Sequence, residues 1–382
     1  MTEDVYIKSL ELHKKNSGKL EIKLKSKLET KEDLSLQYTP GVAEVCNVIA
    51  KDPKKAYEYT IKKNSVAVIS NGTAVLGLGN IGALASLPVM EGKAALFKRF
   101  ANIDAYPICL DTQDPKKIVE QIKAVSPGFG GINLEDIKAP ECFEIENELQ
   151  DIGIPVMHDD QHGTAVVVLA GLVNALKVLN KKFDDSIIVI SGAGAAGIAV
   201  AKLILTQNPK DIILCDTKGI LSRDRTNLND SKAEISLLTN HLNKHGTLAD
   251  ALKNSDVFIG VSAPNIVTEE MIKSMNKEPI VFAMSNPTPE IMPDEAKKGG
   301  AAVIGTGRSD FPNQINNVLA FPGIFRGALD SNAKKITEKM KLAAAYAIAN
   351  SITPITSRIV PYILDKDVDV TKLVAEAVKK AA

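Results

Sequence analysis

The feature that most constrains the fold is a glycine-rich turn set between an apolar strand and an apolar helix. In residues 186–205 the run SIIVIS leads into Gly192-Ala193-Gly194-Ala195-Ala196-Gly197 and then into IAVAKLIL. A GxGxxG turn alone is a weak signal, but here the context supplies what a dinucleotide site needs. One glycine makes the tight turn, a second lets backbone approach a pyrophosphate, and a third lets the helix pack close, while free amides at the helix start face the anion. A second apolar strand, IILC, ends in Asp216, where a carboxylate can accept the ribose hydroxyls of NAD.

The alternation continues through DVFIGVS, PIVFAMSNP and AAVIGTG, each separated by a helical pattern. Strands that are apolar throughout predict a parallel sheet buried on both faces. Upstream, strands are expected at SVAVIS (65–70), at TAVLG (73–77) after the Asn71-Gly72 turn, and at YPICLD and IPVMHD, with helices at 115–124 and 164–179. The expected fold class is α/β. An N-terminal α/β catalytic domain spans 1–160, a Rossmann-type doubly wound NAD(P)-binding domain 161–330, and a C-terminal helical segment 331–382.

Composition narrows the function classes. Lys plus Arg and Asp plus Glu both total 46, so no global basic field exists to hold nucleic acid, and none is expected as a partner. Four widely spaced cysteines read as reduced thiols of a cytoplasmic protein. The acidic N-terminus lacks the apolar core of a signal peptide, the most hydrophobic runs carry polar residues, and no membrane association is expected.

Candidate chemistry gathers near strand ends. Glu135-Asp136 follows the glycine-rich GFGGIN, and Asp159-Asp160 follows IPVM. Carboxylates without nearby cysteines suit a hard ion such as Mg2+ or Mn2+, although paired surface acids or helix caps would leave the same pattern. A second turn, Gly77-Leu78-Gly79-Asn80-Ile81-Gly82, lacks a following ribose-binding acid and suits close backbone approach to a substrate or to the nicotinamide end of a cofactor. Lys93, in MEGKAALF, is either a snorkelling surface residue or, if buried, a general base. Tyr38 is a loop or core tyrosine whose hydroxyl could serve as an acid.

Eight segments in order, QYTPGVAEV, LGLGNIG, PVMEGKAALFK, INLEDI, HDDQHGTA, GAGAAG, SNPTPE and FPNQINNVLAFPG, resemble the malic enzymes over nearly the whole chain. The resemblance implies oxidative decarboxylation of L-malate to pyruvate and CO2 with NAD as cofactor, NADP also being admitted, and Mg2+ or Mn2+. It implies catalytic roles for Tyr38, Lys93 and Asp159, with metal ligation by Glu135, Asp136 and Asp160. Asn286 and Asn317 are implied to bind substrate near the nicotinamide. Cofactor contacts then fall to Gly192, Gly194, Ala195, Ala196, Gly197, Asp216 and Asn286. The resemblance also suggests a homodimer with the N-terminal region in its interface. Thr73-Ala74 stands where larger relatives carry a substrate-clamping arginine. The alternative activity is a 2-hydroxy-acid dehydrogenase that does not decarboxylate.

Overall fold

The structure is a computed structural model that describes residues 2–75, 77–353 and 358–382. Four strands, β1 (Ser65–Ser70), β2 (Asp104–Cys109), β3 (Gly131–Leu134) and β4 (Val156–His158), form a parallel sheet in the order β2-β1-β3-β4. A second sheet holds β5 (Ile187–Ser191), β6 (Asp211–Asp216), β7 (Gly219–Ile220), β8 (Val257–Gly260), β9 (Ile280–Ala283) and β10 (Val303–Thr306). Its order is β10-β9-β8-β5-β6-β7, and only the short edge strand β7 runs antiparallel. Strand order reverses between β1 and β3 in the first sheet and between β5 and β8 in the second. Open α/β sheets bind their ligands at such reversals, beyond the strand C-termini.

One helix joins the two sheets. The Asp159–Val178 helix is apolar enough and long enough to cross a membrane, but 78% of its most apolar window lies inside the fold. Its Val167, Leu169 and Leu172 share one continuous core with Val66 and Val68 of β1 and with Ile188 and Ile190 of β5. Phe97, on the Gly82–Ala101 helix, meets Phe321 and Phe325 edge-on, with ring centroids 4.7 and 5.3 Å apart. Those rings belong to the Phe321–Asp330 helix, which packs with the Glu338–Asn350 and Val370–Ala381 helices at the C-terminus.

Three local readings are corrected. The strand expected at 73–77 is a loop, in which Val75 only bridges Gly79; Leu76 lies outside the described residues. Gly77, Gly79 and Gly82 have φ of +76°, +77° and +80°, which no strand accommodates. The glycine-rich segment before Glu135, in which no strand is expected, contains β3. The Thr164 helix start moves back to Asp159, because two carboxylates in a first turn favour the positive end of the helix dipole.

Candidate active site

Register brings the two acidic pairs together. Leu134 pairs with His158 across β3 and β4, so Glu135-Asp136 and Asp159-Asp160 leave adjacent strand ends side by side. Ligand oxygens of Glu135, Asp136 and Asp160 lie within 4.8 Å of one another. Asp136 sits at φ +52°, a conformation costing a non-glycine residue about 1 kcal/mol, and such strain gathers at functional sites. Two bonds hold it there: its N–H donates to Asp160 Oδ2 at 2.8 Å, and its carbonyl accepts from Ala74 N–H at 3.0 Å. Thr73, buried beside it, accepts from Lys138 N–H at 3.0 Å and donates to Asn71 Oδ1 at 2.6 Å. Thr73-Ala74 therefore ties the second glycine loop to the acid-bearing loop.

Lys93 is buried, not snorkelling. Its Nζ lies 2.6 Å from Asp159 Oδ2 and 2.9 Å from Glu135 Oε1, and 4.3 Å from the centre of the Phe321 ring. Burial works against its charge, but Asp159 and Glu135 outweigh burial and raise its pKa. Across the cluster the acids also move up, which for a carboxyl favours the neutral form. Burial, with Asp160 and Glu135 alongside, pushes Asp136 up to about 9, and burial pushes Asp159 and Glu135 up to about 7. Asn317 Nδ2 donates to Asp159 Oδ2 at 2.6 Å, and Asn133 Nδ2 donates to Glu135 Oε2 at 2.8 Å. Asp136 Oδ2 and Asp159 Oδ1 are buried without a hydrogen-bond partner. Crowded, protonation-prone carboxylates with an orphaned buried oxygen fit a divalent ion, which supplies the missing positive charge.

The nucleotide turn is built as its glycines require. A Cβ on Gly192 (φ +110°) would lie 2.5 Å from Val261 O, and one on Gly197 only 1.7 Å from Gly192 O. Around Gly194 there is open space, at the cap of the Ala195–Leu205 helix. That cradle fits a pyrophosphate at a helix N-terminus. Ser191 and Ser262 hydroxyls meet at 3.0 Å across the β5–β8 crevice. Glu290, fully buried, accepts from Ser262 N–H at 2.8 Å and Ser285 N–H at 3.0 Å, pinning the loops after β8 and β9.

Asp216 is not a free acceptor. Its Oδ1 accepts from Arg225 at 3.0 Å and Lys218 N–H at 2.9 Å, and its Oδ2 from Arg225 at 3.1 Å and Lys232 at 2.7 Å. Burial opposes its charge, but Arg225 and Lys232 prevail and hold the carboxyl at about 2. A 2′-phosphate placed there would meet no uncompensated anion, because two cations offset the one carboxylate. Asn286 is exposed in the loop after β9, with its carbonyl 2.7 Å from where a Cβ on Gly77 would stand. Tyr38 stands apart. It is 64% exposed at the end of the Lys31–Gln37 helix and is not joined to the Lys93 cluster by any hydrogen bond among the described residues.

Glu146, Asn133 and Glu290 escaped the sequence reading. Each is a polar residue in an otherwise ordinary pattern, and only burial marks it.

Comparison with known proteins decides the family. The model of the malic enzyme N-terminal domain matches residues 17–150, and that of the malic enzyme NAD-binding domain matches residues 161–382. The chain belongs to the malic enzyme family. A bifunctional malic/malolactic enzyme of Bacillus subtilis is 56% identical over 98% of this chain and 92% of its own length. The NAD-dependent malic enzyme of Geobacillus stearothermophilus is 58% identical over 88% of this chain and 70% of its own. An NADP-dependent malic enzyme of Haemophilus influenzae is 51% identical over 92% of this chain, which spans only 47% of that relative. The crystal structure of the NAD-dependent malic enzyme of Thermotoga maritima superposes with a TM-score of 0.95 at 49% identity, covering 98% of this chain and 99% of that one. Membership, with the acidic triad, makes this malic enzyme an NAD(P)-linked oxidoreductase that decarboxylates malate to pyruvate and CO2.

Proposed function

We propose that malate is oxidised and decarboxylated beyond the ends of β1, β3 and β4, with Lys93 as base and Glu135, Asp136 and Asp160 as the ligands of Mg2+ or Mn2+. The observation that carries this is the buried Lys93 ammonium, 2.6 Å from Asp159 and beside three clustered carboxylates. When bound, the ion would supply polarisation of the C2 oxygen of the substrate and the nicotinamide would supply the hydride acceptor. The chain's own residues manage protons and orientation. Asp159 and Glu135 hold the proton on Lys93 in the cation-free cluster, and positive charge bound by the acids would favour its release, leaving a neutral amine to accept the proton of the C2 hydroxyl. Asn317 holds Asp159 in place and, with Asn286, faces the substrate toward the nicotinamide. Replacing Lys93 by Ala is expected to lower kcat/KM for malate oxidation by about 100-fold or more while NADH binding stays intact. Near-normal turnover in that variant would remove Lys93 from the chemistry.

Two finer readings belong with this one. Both NAD and NADP are accepted, since Arg225 and Lys232 can turn from Asp216 toward a 2′-phosphate, while Asp216 released from them accepts ribose hydroxyls. The working unit is a homodimer in a cytoplasmic setting, consistent with four unpaired cysteines. The helices Lys31–Gln37 and Val42–Lys51 contain no buried residue, and Val5, Tyr6, Ile7, Leu10, Leu34 and Leu36 are exposed. Helices that leave so many apolar side chains uncovered suit a protein interface. Tyr38 lies on it, and a second copy delivers that hydroxyl to the Lys93 cluster as the acid that protonates C3.

A further inference from the structure

The acidic pair Asp159-Asp160 begins a helix whose N-cap, His158, makes no side-chain capping bond. A carboxylate from another element serves instead. Glu146, on the Glu141–Glu148 helix, accepts from His158 N–H through Oε1 at 2.9 Å. Its Oε2 accepts from Gln161 Nε2 at 3.0 Å and from His162 Nε2 at 2.9 Å. Those three contacts fall on both sides of Asp159 and Asp160 and on none of the substrate-facing groups.

We infer that Glu146 is the positioning residue of the cation site, fixing the backbone from which Asp159 and Asp160 project. The inference rests on reading Glu135, Asp136 and Asp160 as the cation ligands. Glu146 grips the main chain one residue before Asp159 and the side chains one and two residues after Asp160, so it sets the pitch of the first turn. Asp160 in turn accepts the N–H that holds Asp136 in its left-handed conformation. A loosened first turn therefore displaces two of the three ligands. Glu146 and His162 also line a cavity of about 510 Å³, bounded by Ile198 and Lys202 of the nucleotide-turn helix and by Lys341. Packing alone would not call for a carboxylate there, since apolar side chains commonly replace buried polar clusters without loss of stability.

Binding of Mn2+ alone, followed by the electron paramagnetic resonance of the free ion, tests this. Groups that orient metal ligands typically contribute about 10- to 100-fold in affinity. Glu146→Gln is expected to weaken Mn2+ by about tenfold or more, because whichever way its amide turns the nitrogen faces at least one donor, while NADH affinity stays within about twofold of the parent. His162→Ala, which keeps the carboxylate and two of its contacts, is expected to weaken Mn2+ by a smaller factor, and it decides alone if Glu146→Gln does not accumulate. Unchanged Mn2+ affinity in these variants overturns the inference. So does a parallel loss of NADH binding, which would show that Glu146 holds the fold in general. Asp160→Asn is the control: if it keeps full Mn2+ affinity, the ligand assignment itself fails, whatever Glu146 does.

Discussion

At the scale of single residues, the cation-free cluster is a store of protons. Burial, with like charges close by, raises Asp136 to about 9 and Glu135 to about 7, and burial raises Asp160 to about 6. A carboxylate whose folded pKa exceeds its unfolded value holds its proton longer in the native state. Without a cation, stability should therefore fall as pH rises from about 4, where the unfolded carboxyls ionise, to about 9. An ion that displaces those protons reverses the loss. Mn2+ affinity is thus expected to rise with pH from about 6 to about 9, with protons released on binding, which calorimetry in buffers of different ionisation enthalpy measures. Affinity independent of pH would mean that the three acids are already ionised without the ion. The acids were legible as chemistry-bearing residue types at neighbouring strand ends and Lys93 as a base if buried, but the convergence of Lys93 on the acids was implied only by resemblance. Glu146 and Asn133 gave no sign, because their importance lies in what they touch.

At the scale of elements, the second sheet was readable because β5, β6, β8, β9 and β10 are apolar nearly throughout. β3 was not, since Gly130-Gly131 read as loop, and its strand geometry depends on pairing with both β1 and β4. The converse error at 73–77 came from β-branched residues whose neighbouring glycines take left-handed backbone. On the reading proposed above, cofactor choice is set where the end of β6 meets the Asp230–Leu238 helix, at the Asp216–Lys232 ion pair. Lys232→Ala is expected to raise KM for NADP about tenfold, near the loss of one well-placed charge contact, and to change KM for NAD less than about twofold. Steady-state kinetics with each nucleotide checks this. An unchanged NADP-to-NAD ratio would place the 2′-phosphate elsewhere.

At the scale of the whole molecule, one core spanning both sheets holds the site, while the N-terminal helices face outward with apolar side chains uncovered. Nothing in their sequence distinguished an interface from a buried face, since amphipathic helices look alike in either role. Should Tyr38 act on the partner's Lys93 cluster, a mixture of Tyr38→Phe and Lys93→Ala chains, co-expressed, regains activity in heterodimers that neither variant has alone. Each heterodimer then has one site with both groups intact. No recovery in a verified heterodimer would mean that each chain uses its own tyrosine. The central claim is that the Lys93 cluster, with a divalent ion, both oxidises and decarboxylates malate. Its most direct test is the product balance of the enzyme with malate, NAD and Mn2+, run beside Asp136→Asn. Equal amounts of NADH, pyruvate and CO2, all falling together in the variant, are the predicted result; NADH formed with oxaloacetate and no CO2, or a variant as active as its parent, would contradict it.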